Sequence, residues 1–161
     1  MPDMLVRLYG LPDVTVERDR LAAAGVVCRK AESFERHALL KFAGEVFPHW
    51  ADEVAAAFTH VPPNLFVAAE EGAVTGFAAY NVTRPNYFGP TGVHESKRGR
   101  GIGRVLLVQC LNALAAEGYG YAIIGGVGPA RFYERTVGAT LIPNSDPGIY
   151  GDMLEAEGQH Q

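Results

Sequence analysis

Short β-rich runs recur along the chain, separated by stretches in which apolar residues have helical spacing. We predict strands over 5–9, 26–30, 65–70, 73–80, 87–94 and 121–124, with two further short strands around a turn at 144–148. From Leu39 to Phe47, apolar residues recur at i, i+3, i+4, i+7 and i+8, which predicts an amphipathic helix with Ser33 as its N-cap. Pro48 ends it, and a shorter helix follows from Trp50.

Three more helices complete the pattern. They are expected from Leu11 to Gly25, from Arg104 to Gly118, and from Pro129 to Val137. Gly89-Pro90 places a bulge or bend inside the 87–94 strand. Alternating strands and helices predict an α/β protein.

Composition excludes several classes of protein. The 161 residues are 48% hydrophobic and 20% charged, which is typical of a globular chain of one domain. The net charge of −4 argues against a general nucleic-acid binder. No apolar run reaches the roughly 20 residues of a membrane span, and charged residues interrupt any secretory signal. Cys28 and Cys110 lie outside any ligand cluster, so we expect buried thiols in a cytoplasmic protein without a metal site.

One glycine- and arginine-rich stretch, Val93 to Arg104, sits between a predicted strand and a predicted helix. Its glycines allow a ligand to approach the backbone, and the first N–H groups of the helix form an anion site. Lys97, Arg98, Arg100 and Arg104 add positive charge suited to phosphate. Together, the glycines, the helix N-terminus and the cations predict a pyrophosphate cradle. Neither GxGxxG nor GxxxxGK[ST] occurs here, so the interpretation as a dinucleotide or P-loop site is weak.

The stretch does match Arg-x-x-Gly-x-Gly, as Arg98-Gly99-Arg100-Gly101-Ile102-Gly103. It resembles the acetyl-CoA-binding motif of the GNAT superfamily of N-acetyltransferases. The order of elements from Val27 to about Tyr150, and the downstream run beginning Phe132-Tyr133, are also similar to that family. The resemblance implies a GNAT-like mixed, twisted sheet with helices on both faces, here preceded by an extra strand–helix unit at 1–24. The acetyltransferase domain would span 25–154 and a frayed tail 155–161.

The resemblance also implies site roles. The segment from Arg98 to Arg104, with Gly99, Arg100, Gly101, Ile102 and Gly103, would hold the CoA pyrophosphate, and Gly92 and Val93 would pair with the pantetheine amides. Phe132 is assigned to the same cofactor site. Tyr133 falls on the family's tyrosine that faces the departing sulfur, where a neutral phenol can donate a proton. A core tyrosine is the alternative interpretation of that residue.

The general base remains open at this stage. No acidic residue lies on the 121–124 strand, where the family often has one. Histidine as a residue type titrates near neutral pH, and His94 is the catalytic candidate alongside Tyr133. Glu95, Tyr87 and the more remote Glu70 are alternatives, as is a water chain to backbone carbonyls.

The predicted function is acetyl transfer from acetyl-CoA to an amine by direct attack in a ternary complex. The acceptor is a small molecule or a peptide amine, and Trp50 either lines its pocket or fills the core. Residues 1–24 could cover the sheet edge or mediate a homodimer. The alternative function is a non-catalytic acyl-CoA-binding or regulatory module of the same fold.

Overall fold

The computed structural model describes residues 1–155, so most of the tail predicted to fray lies outside the described residues. Its seven strands are β1 (Met4–Arg7), β2 (Val26–Lys30), β3 (Leu65–Glu70), β4 (Ala73–Tyr80), β5 (Tyr87–Val93), β6 (Tyr121–Ile124) and β7 (Thr140–Leu141). Its α-helices are α1 (Thr15–Ala23), α2 (Arg36–Val46), α3 (Ala51–Ala57), α4 (Ile102–Ala116) and α5 (Ala130–Val137). Within these residues, none of the helices combines the length and hydropathy that crossing a bilayer requires.

All seven strands belong to one mixed sheet, in the order β2-β3-β4-β5-β6-β1-β7. Neighbouring strands are antiparallel except β5 and β6, which run parallel. The predicted N-terminal strand–helix unit is present, and β1 lies between β6 and β7 instead of covering an edge. The N-terminal segment is therefore an interior part of the sheet.

Strand alternation divides the core into two layers. On one face, α4 carries a continuous buried side that packs with α1 and α5 against residues such as Ala78, Tyr80 and Phe88. On the other face, α2 and α3 cover Phe77, Ala79 and their neighbours. Helices on both faces of a mixed sheet confirm the predicted α/β architecture.

Two local predictions are wrong. Ser33 does not cap α2: it begins a 3₁₀ helix, Ser33–Glu35, whose capping box joins Glu32 and Glu35, and α2 starts one residue later. Within residues 1–155, no strand follows the turn at 144–148; Gly148–Tyr150 forms a 3₁₀ helix instead. The few residues after the turn fold back over loop 125–126, where the Tyr150 ring packs.

The predicted bend at Gly89-Pro90 coincides with the point where two parallel strands separate. β5 and β6 pair only at Tyr87 with Ile123 and at Phe88 with Ile124. β5 then continues to Val93 while β6 ends. The strands diverge, and a gap opens inside the sheet.

The Phe47 ring fixes the position of β5 on the other side of this gap. An ideal Cβ at Gly92 would lie 2.5 Å from the Phe47 Cε2 atom, so the ring rests directly on the strand backbone. Phe47 also stacks on Trp50 at 5.1 Å and meets Phe77 edge-on at 5.9 Å. Only glycine fits between this aromatic cluster and the strand.

A Gly92→Ala substitution should therefore lower the free energy of unfolding by about 1–3 kcal/mol, because the added methyl displaces a packed ring. The matched control is Gly44→Ala in α2, where an added Cβ meets nothing within 4 Å. There alanine should leave stability unchanged or raise it by up to about 1 kcal/mol. Urea denaturation of the two variants measures the difference. Equal urea midpoints would contradict the close packing of Phe47 on Gly92.

Candidate functional site

A cleft of about 800 Å³ occupies the gap between β5 and the loop that follows β6. Its walls come from β5 residues 89–93, the start of α4, loop 124–129 and the start of α5. Phe47, Trp50 and Glu53 close it from the α2–α3 face, and Tyr150 and Met153 close it from the C-terminal segment. The cleft thus joins one strand edge, one helix N-terminus and an aromatic wall.

The β5 edge that faces the cleft carries backbone groups without a strand partner. The His94 N–H donates to the Thr75 carbonyl at 2.8 Å, and Val93 lies opposite Gly76 in the register. Because N–H and C=O groups alternate sides along an antiparallel strand, those of Thr91 and Val93 point away from β4. Arg98 occupies the Val93 carbonyl, so both groups of Thr91 and the N–H of Val93 remain for a ligand. This edge can accept an extended ligand with amide groups, as it would accept an added strand.

The N-terminus of α4 forms the second wall. Gly101 is its N-cap in the left-handed conformation (φ 87°), and no side chain of the described residues caps the helix. Gly99 is also left-handed (φ 80°), and an ideal Cβ at either glycine meets nothing within 4 Å. Free first-turn N–H groups and the helix dipole face an open space that suits an anion.

Lys97, Arg98 and Arg100, in the loop before α4, are held by a carboxylate and by a backbone carbonyl group. Glu70 Oε1 accepts from Lys97 Nζ at 2.8 Å, and Glu70 Oε2 accepts from Arg100 Nη2 at 3.1 Å. Arg100, and then Lys97, lower the pKa of Glu70 to about 2. Arg98 Nε donates to the Val93 carbonyl oxygen at 3.1 Å, which ties the loop to the end of β5.

Tyr133 lies on α5, 6% exposed, and lines the cleft. Its ring packs edge-on against Phe88 and Phe132, at centroid distances of 6.3 and 5.1 Å. Burial raises the pKa of Tyr133 to about 12. Since the hydroxyl has no hydrogen-bond partner among residues 1–155, it is a neutral donor available to a ligand.

The predicted site residues divide into two groups. Those at the cleft are Gly92, Val93, Arg98, Gly99, Gly101, Ile102, Gly103, Phe132 and Tyr133. Ile102 is 1% exposed, so its side chain belongs to the core and does not offer a surface to a ligand. Arg100 turns to Glu70, and neither Arg100 nor Arg104 lines the cleft.

His94 is not brought to the cleft. It is exposed at the start of the 3₁₀ helix Glu95–Lys97, where its Nδ1 accepts from the Ser96 N–H at 3.1 Å. Glu95 is exposed beside it, and Glu70 is committed to its two cations. Tyr87 packs under Gly125 at the narrow end of the strand pair. His94 therefore has no geometric support as the base.

Sequence reasoning missed Glu53, a carboxylate of α3 that does line the cleft. Glu53 Oε2 accepts a hydrogen bond from Thr83 Oγ1. Tyr150, also missed, is half-buried nearby, and its pKa is raised by burial and then by Glu53. Helical spacing would have placed Glu53 on the same face as Trp50, three residues earlier, but no local signal shows that this face of α3 borders the cleft. Within residues 1–155, no group of His, Cys, Asp and Glu is arranged to hold a metal ion.

Comparison with known families and structures agrees with this geometry. The family model described as the acetyltransferase (GNAT) domain matches residues 62–136, which run from the approach to β3 into α5. The chain resembles the GCN5-related glucosamine N-acetyltransferase region of a fungal multi-domain GH3 β-N-acetylglucosaminidase, with a TM-score of 0.71 and 18% identity. That match covers 88% of this chain and 19% of the other.

Two bacterial structures show the same fold. A GCN5-related N-acetyltransferase from Sphaerobacter thermophilus has a TM-score of 0.67 at 20% identity, covering 88% of this chain and 48% of that one. A GNAT family acetyltransferase from Brucella melitensis, in complex with acetyl-CoA, has a TM-score of 0.53 at 19% identity, covering 73% and 86%.

The chain spans about half of the length of the Sphaerobacter protein and about a fifth of the length of the fungal one. Comparison with curated proteins gives no match. The matched domain contains the Arg98–Gly103 motif and the diverging strands that form the cleft. Residues 62–136 thus match the acetyltransferase (GNAT) domain model, and the chain has the fold of the solved GNAT acetyltransferases.

Proposed function

We propose that this protein transfers the acetyl group of acetyl-CoA to the amine of an acceptor, by direct attack in a ternary complex. The observation that carries the proposal is the open edge of β5 running into the uncapped N-terminus of α4. A strand edge suits a chain of amides, and a helix N-terminus suits a pyrophosphate. The two features meet in one cleft, as a ligand with both groups requires.

The residues present fit acetyl-CoA at both features. The open spaces at Gly99 and Gly101 leave room for phosphate oxygens, and the backbone N–H groups from Ile102 onward would receive them. Lys97 and Arg98 add positive charge at the cleft wall. Thr91 and Val93 would align the pantetheine arm. The bound cosubstrate supplies the acetyl thioester.

Tyr133 is the residue we assign to the departing sulfur. Its raised pKa keeps the hydroxyl protonated across the physiological range, and its proton is free of any partner within residues 1–155. A neutral phenol of this kind donates its proton to a leaving thiolate. Its apolar neighbours Phe88 and Phe132 exclude water from that point.

Glu70 organises the cofactor end without contacting the cleft itself. It holds Lys97 and Arg100 against the end of β3, which restricts the loop that leads into α4. Recognition of phosphate then depends mainly on backbone groups that are already in place. Both cysteines are buried free thiols, and we therefore assign the protein to a reducing compartment such as the cytoplasm.

The cradle is tested by Gly103→Val, a site where the first added atom has room beside Val93 at 3.9 Å. Thermal unfolding with acetyl-CoA, CoA, ATP and NAD is the measurement. Acetyl-CoA and CoA alone should stabilise the unmodified protein, by about 2.7 kcal/mol at a hundred times Kd. The valine should abolish most of that shift by filling the cradle. Gly120→Val, at an equally open but distant position, is the control and should keep it. An intact shift in Gly103→Val would overturn the cradle.

Tyr133→Phe should lower kcat by about 100-fold or more, because it removes a general acid. Affinity for acetyl-CoA and stability should stay near those of the unmodified protein. Within residues 1–155 the hydroxyl has no hydrogen-bond partner, so its removal leaves no buried group unsatisfied. Stopped-flow thiol release, with calorimetric binding of acetyl-CoA, separates the two effects. Tyr121→Phe on β6, outside the cleft, is the control. Unchanged turnover would remove Tyr133 from the reaction.

Glu70→Gln tests the ion pairs of Glu70 with Lys97 and Arg100, here named the Glu70 clamp, through the pH dependence of stability. The folded-state pKa of about 2 lies below the ordinary value of 4.5, so the ion pairs stabilise the fold above about pH 4.5 and lose that effect as pH falls toward 2. The variant should therefore be less stable than the unmodified protein near neutral pH, and the gap in urea midpoints should narrow below about pH 4.5. Glu71→Gln, at the exposed neighbouring position, should show no such gap. A gap independent of pH would count against the clamp.

A further inference from the structure

The two ends of the cleft differ in charge. Lys97, Arg98 and the N-terminus of α4 make the cofactor end positive. The opposite end, here named the acceptor end, includes Trp50, Glu53, Thr83, Tyr150 and Met153 and carries the Glu53 carboxylate. The cleft is also lined by His49 and by the Met1 ammonium, which is paired with Asp146 at 2.8 Å. Arg84 lies near enough to lower the pKa of Tyr150 but does not line the cleft. A cationic ligand is therefore favoured at the acceptor end.

Glu53 is oriented to receive such a cation. Thr83 occupies one of its oxygens, Oε2, and holds the side chain over the cleft. The other oxygen, Oε1, has no hydrogen bond among residues 1–155 and is not sealed from solvent. An ammonium group is a matching donor for that oxygen.

Apolar side chains line the same end of the cleft as this carboxylate. The Trp50 indole is partly exposed, stacks on Phe47 at 5.1 Å with 24° between the planes, and lies three residues before Glu53. Met153 is 67% exposed at the opposite wall. The Thr83 hydroxyl is used by Glu53. The acceptor end therefore offers a stacking surface beside the Glu53 carboxylate.

Segment 142–150 borders the acceptor end. Its residues Asp146, Pro147 and Tyr150 line the cleft, and Tyr150 sits against Gly125 and Gly126, with its hydroxyl oxygen 2.8 Å from an ideal Cβ at Gly125. Asp3 anchors that segment: its N–H donates to Ser145 Oγ at 2.8 Å, and its carbonyl accepts from the Ile142 N–H at 2.9 Å. A cleft bordered in this way suits a compact acceptor better than an extended peptide.

We propose that the acceptor is a small primary monoamine with an aromatic ring close to the ammonium group, of the arylalkylamine class. Glu53 binds the ammonium group and Trp50 stacks on the ring. The inference deepens the proposed acetyl transfer and rests on it.

The step balances within this site. The amine nitrogen forms a bond to the acetyl carbon, and the bond from that carbon to sulfur breaks. The nitrogen loses two protons in becoming an amide: one leaves through Glu53 to solvent, and the other replaces the proton that Tyr133 gives to the sulfur. The products are the N-acetylated amine and CoA thiol.

The experiment compares amines at fixed acetyl-CoA by the rate of thiol release. We expect kcat/KM for 2-phenylethylamine to exceed that for glucosamine, spermidine and a peptide with a free N-terminus by at least about tenfold. It should also exceed that for 2-cyclohexylethylamine, which has the same reach and charge but no flat ring. A higher value for the sugar amine, the polyamine or the peptide would overturn the acceptor class, and so would equality of the two ring amines.

Variants of the acceptor end separate the two contacts. Glu53→Gln and Trp50→Leu should each raise KM for 2-phenylethylamine by about tenfold and leave KM for acetyl-CoA unchanged. Trp50→Phe should restore most of the affinity, because it keeps a flat ring and the packing on Phe47. Asp52→Asn, an exposed neighbour outside the cleft, is the matched control. An unchanged KM for the amine in Glu53→Gln would overturn the assignment of Glu53.

Failure of this inference is distinguishable from failure of the proposed function. If acetyl-CoA binds and another class of amine is acetylated faster, the acetyl transfer stands and the acceptor class is wrong. If acetyl-CoA gives no thermal shift, or no amine is acetylated, the proposed function falls and the acceptor class falls with it.

Discussion

Parallel pairing between β5 and β6 lasts for only two residue pairs, and the site depends on where it stops. Longer pairing would satisfy the Thr91 backbone groups and the Val93 N–H, and it would close the cleft. Without any pairing, the two halves of the sheet would lose the strand pairing that joins them within residues 1–155, because β4 joins β5 on one side and β1 joins β6 on the other. Backbone groups left unpaired in a sheet need another partner, and a ligand with amides can supply it.

The aromatic cluster of Phe47, Trp50 and Phe77 contacts both ends of the cleft. Phe47 presses on Gly92 of β5 and stacks on Trp50, so one ring contacts the strand assigned to the cofactor and the side chain assigned to the acceptor. Packed aromatic rings move as a unit because interiors have few voids. Displacement of β5 would therefore also shift Trp50. The sites we propose for the acetyl donor and the amine acceptor therefore share this packed aromatic wall.

Local patterns predicted the elements well where a signal was complete within one segment. The Arg98–Gly103 motif, the buried stripe of α4 and the bend at Gly89-Pro90 are each readable in fewer than 15 residues or so. Ser33 failed because an adjacent capping box, Glu32 with Glu35, competes for the same turn. His94 was a candidate on intrinsic pKa alone, whereas its position depends on which strand face meets the cleft. Glu53 was missed because only the tertiary packing of α3 on the sheet brings it to the cleft.

Asp3 shows why the N-terminal segment could not be interpreted from its own sequence. Nothing near Asp3 in the chain marks it as more than a residue before a strand. In the fold its carboxylate accepts from the Gly126 N–H at 2.8 Å, while its backbone binds Ser145 and Ile142. It is 7% exposed, so its hydrogen bonds replace those that water would provide. One buried residue thus joins the loop after β6 to the segment bordering the acceptor end. Because β1 is inserted between β6 and β7, the N-terminal strand is part of the construction of the cleft, and contacts across more than 120 residues of sequence leave no local pattern.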